Sequence, residues 1–344
     1  MKQRLFVTLS LAGLAMSTFG ATKPKAAIKS LNKTTIQQPT YTEWHDLQVN
    51  AINRFPLHTN FFTYPADDWV SEKDGKIVSK DILHMNKTES KYFLSLDGTW
   101  KFNWVANADQ RPTDFYKEDL DDSKWKTMNV PGNWEMNGFG DPEYVNIGFA
   151  WRGHFDQQPP AVPTKDNHVG SYRRIIDIPA NWDGKQVIAH FGSVTSNIYL
   201  YVNGKFAGYA EDSKVAAEFD ITPYLKKGKN LIAFQTFRWC DGSWDEDQDF
   251  WRLSGVARES YLFARDAQLH LEDIRVTPDL VNNYKDGVLN ISTKVKGNGK
   301  LVFTLFDKDG KQVATTTGVA KNGTANFSLQ VANPQKWSAE TPYL

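Results

Sequence analysis

The sequence predicts an all-β chain made of two successive β-sandwiches, and three observations carry that prediction. From about Tyr41 onward, several short strand-like segments follow one another with turn signals between them. Asn203-Gly204 separates two aromatic-rich runs, which is the strongest short-range hairpin pattern available to a chain. Helical periodicity is scarce throughout, so neither a parallel sheet with crossover helices nor a helix bundle fits.

The elements follow in order. Lys2 and Arg4 precede an apolar run over 5–15, and Ser17, Thr18, Gly20 and Ala21 follow, the pattern of a secretory signal peptide over residues 1–20. The run is too short to span a bilayer. No cysteine stands near it, which argues against a lipid anchor and for a periplasmic or secreted product. Residues 21–40 are rich in Lys, Thr and Ala without apolar period and are expected to be a flexible spacer. Strands are expected at 172–178, 186–191, 197–202, 206–210 and 229–239, within a first domain over 41–265 of the jelly-roll type. A second block over 266–344 alternates at 268–276, 288–295, 301–306, 312–316 and 325–331, with a turn at Asp307-Lys308-Asp309-Gly310. It fits an immunoglobulin-like sandwich, yet offers five strands where that fold needs about seven. Residues 333–344 look like a connection into a further strand, so the second domain is expected to be incomplete and the chain a fragment.

Composition narrows the function. Lysine plus arginine and aspartate plus glutamate both number 40, giving zero formal charge, so no electrostatic footprint for nucleic acid or an anionic membrane is expected. A neutral small molecule suits the chain better. Cys240 is the single cysteine and cannot form an intramolecular disulfide; it is expected to be a small buried hydrophobe. The seven histidines show no metal-ligand spacing.

Residues 238–258 are the most informative segment, with five carboxylates and four aromatics in twenty-one residues. Carboxylates accept hydrogen bonds from vicinal hydroxyls, and flat aromatic faces cover the apolar face of a pyranose ring. A solvated acidic loop has the same composition, so composition alone leaves both open. An EF-hand over 241–252 fails, because the sixth position is Glu246 and the twelfth is Arg252.

Four motifs then occur in a telling order: Leu94-Ser95-Leu96-Asp97-Gly98-Thr99-Trp100-Lys101-Phe102; Val130-Pro131-Gly132-Asn133-Trp134-Glu135-Met136-Asn137-Gly138; Pro142-Glu143-Tyr144-Val145-Asn146; and Asp247-Gln248-Asp249-Phe250-Trp251-Arg252-Leu253-Ser254-Gly255-Val256. From about Trp44 to Leu344 the chain resembles glycoside hydrolase family 2, nearest to its large bacterial lactose-cleaving β-galactosidases. The resemblance implies the jelly-roll sugar-binding domain and most of the following immunoglobulin-like domain of a homo-oligomeric, five-domain retaining glycosidase. In that family both catalytic glutamates lie on a TIM barrel, which this chain lacks, so no catalytic residue is assigned and the chain by itself is expected to be inactive. The resemblance assigns Asn146 and Asp249 to the galactoside-binding pocket and gives Asp249 a part in holding Na⁺. It further suggests Glu43, Asp46, Glu211 and Asp241 as ligands of Mg²⁺, all of them oxygen donors suited to a hard cation; a salt-bridge cluster is the alternative. Tyr144 and Trp251 are expected to be supporting core. A β-glucuronidase or β-mannosidase of the same family, or a stand-alone carbohydrate-binding β-sandwich, remain the other readings.

Overall fold

The structure, a computed structural model, describes residues 4–10, 38–65, 70–73, 76–79, 85–146, 151, 155–246 and 249–343. Among these, every regular element is a strand or a single 3-10 turn, and no helix is long and apolar enough to cross a membrane. The all-β prediction holds. The expected spacer over 21–40 lies almost wholly outside the described residues.

The chain forms two compact units, the larger comprising residues 36–57 and 91–265. Its main sheet has seven strands in the spatial order Ala51–Ile52, Lys205–Ala210, Ile198–Val202, Gly228–Phe237, Val169–Ile178, Gly98–Val105 and Lys126–Val130. A four-stranded sheet, ordered Ala217–Asp220, Gln186–Phe191, Ser260–Arg265 and Phe93–Ser95, completes the sandwich. At the hairpin, Asn203 and Gly204 take positive φ of 50° and 75°, the pairing of a type I′ turn. The Asn203 carboxamide donates to Tyr224 O and Asn230 Oδ1 and accepts from Leu231 N, so the turn is also tied to the next strand.

Successive side chains of a strand point to opposite faces, and this sheet is covered on both. Ile198, Leu200 and Val202 enter the core with Trp100, Phe102, Tyr172, Phe191, Phe219 and Phe234. Tyr199 and Tyr201, one step out of phase, join Trp44, Phe115, Phe206, Tyr209 and Phe237 on the other side. That is why 198–202 is buried at every position and shows no alternation of polarity in the sequence. Two buried indoles are paired: that of Trp100 donates to Leu96 O at 2.9 Å and that of Trp134 to the Tyr172 hydroxyl at 2.5 Å.

The other unit contains residues 1–35, 58–90 and 266–344. Residues 58–65 thus pack with the second block and not within a first domain over 41–265: Phe61 lies against its core, and Thr59 N donates to Asp273 Oδ1. Two three-stranded sheets make up this unit's described strands beside a small hairpin, Val70–Lys73 with Lys76–Ser79. One sheet pairs His270–Val281, Asp286–Lys296 and Thr324–Val331; the other pairs Arg4–Ser10, Lys300–Phe306 and Gln312–Val319. Leu301, Phe303 and Leu305 point inward by strict alternation. The segment Arg4–Ser10, part of the expected signal peptide, lies antiparallel along Lys300–Phe306. Strand formation by an apolar, partly β-branched segment at an open sheet edge is the physical reason.

Candidate functional site

Residues 238–256 leave the central strand Gly228–Phe237 and form a loop held at both ends. At its start, Arg238 is buried and reaches three partners: its Nη1 donates to His168 Nδ1 at 3.2 Å, its Nη2 donates to Asp141 O at 3.3 Å, and the same nitrogen stands 3.3 Å from Glu143 Oε2. His168 Nε2 stands 3.2 Å from Asp166, so the ring is the neutral tautomer that donates there and accepts from Arg238. Burial, reinforced by the Arg238 charge, holds the His168 pKa below its ordinary value. A 3-10 turn, Asp241–Trp244, follows, closed by Ser243 N to Cys240 O and by Cys240 N to Ser243 Oγ. Trp244 packs edge-on against Trp151 and donates to Ala161 O.

At its far end Glu135 clamps the loop. Its Oε2 accepts from Ser254 N at 2.9 Å, while Trp134 N and Asn133 Nδ2 donate to Ser254 O. Burial pushes the Glu135 pKa up. Gly255 is required beyond that clamp: its φ is +100°, and a Cβ there would lie 2.7 Å from Gly132 O.

Between these anchors, Phe250–Arg252 pairs antiparallel with Glu143–Val145 in the register Phe250↔Val145, Trp251↔Tyr144 and Arg252↔Glu143. Period-two alternation then sorts the ribbon into two faces. Glu143, Phe250 and Arg252 share one, where Glu143 meets Arg238 and the Arg252 guanidinium and the Lys214 ammonium lie over the Phe250 ring. Tyr144 and Trp251 share the other, and continuing the register one step puts Asn146 and Asp249 there as well. All four are exposed. Tyr144 and Trp251 are not the supporting core that the sequence suggests, since their relative exposures are 53% and 54%. The ribbon has only two strands, so its second face has no sheet to cover it. Their rings tilt against each other at 5.6 Å, and the Tyr144 hydroxyl donates to Asp249 Oδ1 at 2.5 Å. That bond to a carboxylate raises the Tyr144 pKa. A shallow, open cleft borders the ribbon, lined among others by Ser213, Lys214, Arg238, Glu246, Trp251 and Ser254.

The four residues assigned to a divalent cation come together in part. Glu211 and Asp241 are buried, and their carboxylates and the Cys240 thiol lie within 4.8 Å of one another. Burial chiefly, opposed by a hydrogen bond from Tyr209 and aided by the Asp241 charge, pushes the Glu211 pKa up to about 8. Burial likewise raises that of Asp241, with Asp46 near enough to add to the effect. Glu43 is set apart, its Oε1 accepting from Thr40 N and Oγ1 and its Oε2 from the Tyr199 hydroxyl. Those bonds outweigh burial and lower its pKa. Asp249 belongs to the ribbon, not to this group. Two adjacent buried carboxyls, which share a hydrogen bond while Glu211 is protonated, are oxygen donors that fit a hard divalent cation once both are ionised, and Cys240, buried and held as a neutral thiol, behaves as the small hydrophobe expected.

Residues 93–266 match the family model described as glycosyl hydrolases family 2, sugar binding domain, and residues 269–344 match the model described as glycosyl hydrolases family 2. The chain belongs to glycoside hydrolase family 2. Within this family it is 35% identical over 317 residues to a β-galactosidase of Priestia megaterium, covering 88% of this chain and 29% of that protein. Against a β-galactosidase of Halalkalibacterium halodurans it is 36% identical over 303 residues, covering 87% and 28%. The chain therefore spans under a third of the length of these curated relatives. Among solved structures, a Bifidobacterium dentium β-glucuronidase complexed with coumarin-3-O-glucuronide aligns with a TM-score of 0.55 at 17% identity, over 73% of this chain and 44% of that one, a likeness of fold.

Tyr144 as a partner of Asp249 and Glu135 as a clamp were not assigned from sequence. The spacing held a clue to the first: Tyr144 and Asn146 stand two apart, as do Asp249 and Trp251, and therefore share faces if both segments are strands.

Proposed function

We propose that this chain is the sugar-binding portion of a β-galactosidase that removes terminal non-reducing β-D-galactose by a retaining mechanism, with both catalytic carboxylates outside the chain. The observation that carries the reading is the ribbon, whose exposed face gathers Asn146, Asp249 and two aromatic rings from segments far apart in sequence. An amide that donates and accepts and a carboxylate that accepts from two hydroxyls are the polar groups a pyranose needs, beside rings that can cover its C–H face. The relatives named β-galactosidase, at 32–38% identity, support the substrate class. The test is hydrolysis of a nitrophenyl β-galactoside by the complete protein, compared with the glucuronide. Turnover of the galactoside alone is expected; preference for the glucuronide overturns the reading.

Two further parts of the proposal rest on separate supports. Glu211 and Asp241, with Asp46 beside them, would hold Mg²⁺, which would neutralise the buried acids and tie the loop to the strand edge; Asp249 would share Na⁺ with groups beyond this chain. Lys2, Arg4 and the apolar run after them support export to the periplasm or medium, which N-terminal sequencing of the mature protein checks.

A further inference from the structure

Asp249 ends an exposed loop, and a carboxylate free in water samples several rotamers, each pointing its oxygens elsewhere. The ribbon removes that freedom from one side. In an antiparallel pair the diagonal neighbour two residues along lies about 7–8 Å away, within reach of a tyrosine. Tyr144, directly opposite Trp251, is that diagonal neighbour of Asp249. Its hydroxyl meets Oδ1 at 2.5 Å while its ring lies against Trp251.

We infer that Tyr144 is a positioning residue: its phenol holds one oxygen of Asp249 and leaves the other directed at a sugar hydroxyl. This rests on the reading of Asp249 as a sugar contact. Of the charged groups among the described residues, Glu143, engaged by Arg238, and Arg252 and Lys214, which lie over Phe250, stand on the ribbon's other face. The phenol is therefore the donor that the exposed face itself brings to Asp249.

The test compares the complete protein with its Tyr144→Phe variant, which keeps the ring against Trp251 and removes only the hydroxyl, with Asp249→Ala, and with the double variant. Galactose affinity is followed by NMR shifts of the Trp251 indole. Tyr144→Phe should weaken galactose binding about three- to tenfold, the worth of one hydrogen bond, and should cost nothing more once Asp249 is replaced by alanine. A Tyr144→Phe protein that binds galactose like the parent, or a loss of the same size in the Asp249→Ala background, overturns the positioning role. If Asp249→Ala leaves galactose binding unchanged, the sugar reading of the ribbon fails, and the positioning role falls with it.

Discussion

Asp249 is exposed, and an exposed carboxylate contributes little to stability because water solvates it as well as the fold does. Asp249→Ala is therefore expected to leave the melting temperature nearly unchanged. Turnover of the complete enzyme should fall at least about tenfold, since a polar contact to the sugar strengthens toward the transition state. Unchanged kinetics would remove Asp249 from the site. His168, buried between Arg238 and Asp166, serves the fold. Its folded pKa is depressed, so the unfolded chain binds more protons once pH drops below about 6.5. The stability due to neutral His168 is present above that value and lost as pH falls through the folded pKa. A thermal melt series from about pH 7 to pH 5 should slope less steeply in His168→Asn than in the parent. Neither behaviour is visible in a list of residue types. Asp249 could be singled out from its motif, but the partner that holds it, Tyr144, comes from another segment.

Elements differ in how much local pattern they carry. The hairpin around Asn203-Gly204 is legible because the turn demands positive φ at two successive positions, and few residue pairs tolerate it. Strands such as Lys300–Phe306, buried on one side, are legible from alternation. Gly98–Val105 and Lys126–Val130 carry the same alternation, with Trp100, Phe102 and Trp104 in one and Met128 and Val130 in the other at every second position, and they pair with each other in the main sheet. Trp100, 1% exposed at the heart of the sandwich, carries much of that packing. Trp100→Ala should destabilise the larger unit by about 3–5 kcal/mol, measured by denaturant unfolding. Gly255→Ala tests the base of the ribbon. A side chain at φ +100° costs about 1–3 kcal/mol and would press on Gly132 O, so the melting temperature should drop and galactose binding should fall with it.

At the scale of the larger unit, the Glu211–Asp241 pair couples a strand end to the acidic loop. The Glu211 pKa is raised to about 8 in the fold against 4.5 for an ordinary glutamate, so its contribution is fully present below the unfolded value and lost as pH rises through about 8. Melting temperatures of the parent should decline across that window, and Glu211→Gln should flatten the decline. Mg²⁺ should restore the parent at the alkaline end and leave Glu211→Gln unmoved; equal shifts in both chains would argue against a cation there. The division into units could be read only in part. A break near residue 266 is marked by a change of pattern, but the placing of 58–65 with the second block depends on Phe61 and Thr59, whose partners lie some two hundred residues away. The sequence by itself determined the all-β class, the hairpin and the family, because backbone sterics, period-two burial and motif order act within short stretches. Only the tertiary structure decided that Tyr144 and Trp251 are exposed, that Tyr144 holds Asp249, and that Glu211 and Asp241 converge while Glu43 is engaged elsewhere. Those outcomes follow from strand register and from competition among hydrogen-bond partners, and both are set by segments that meet only when the chain has folded.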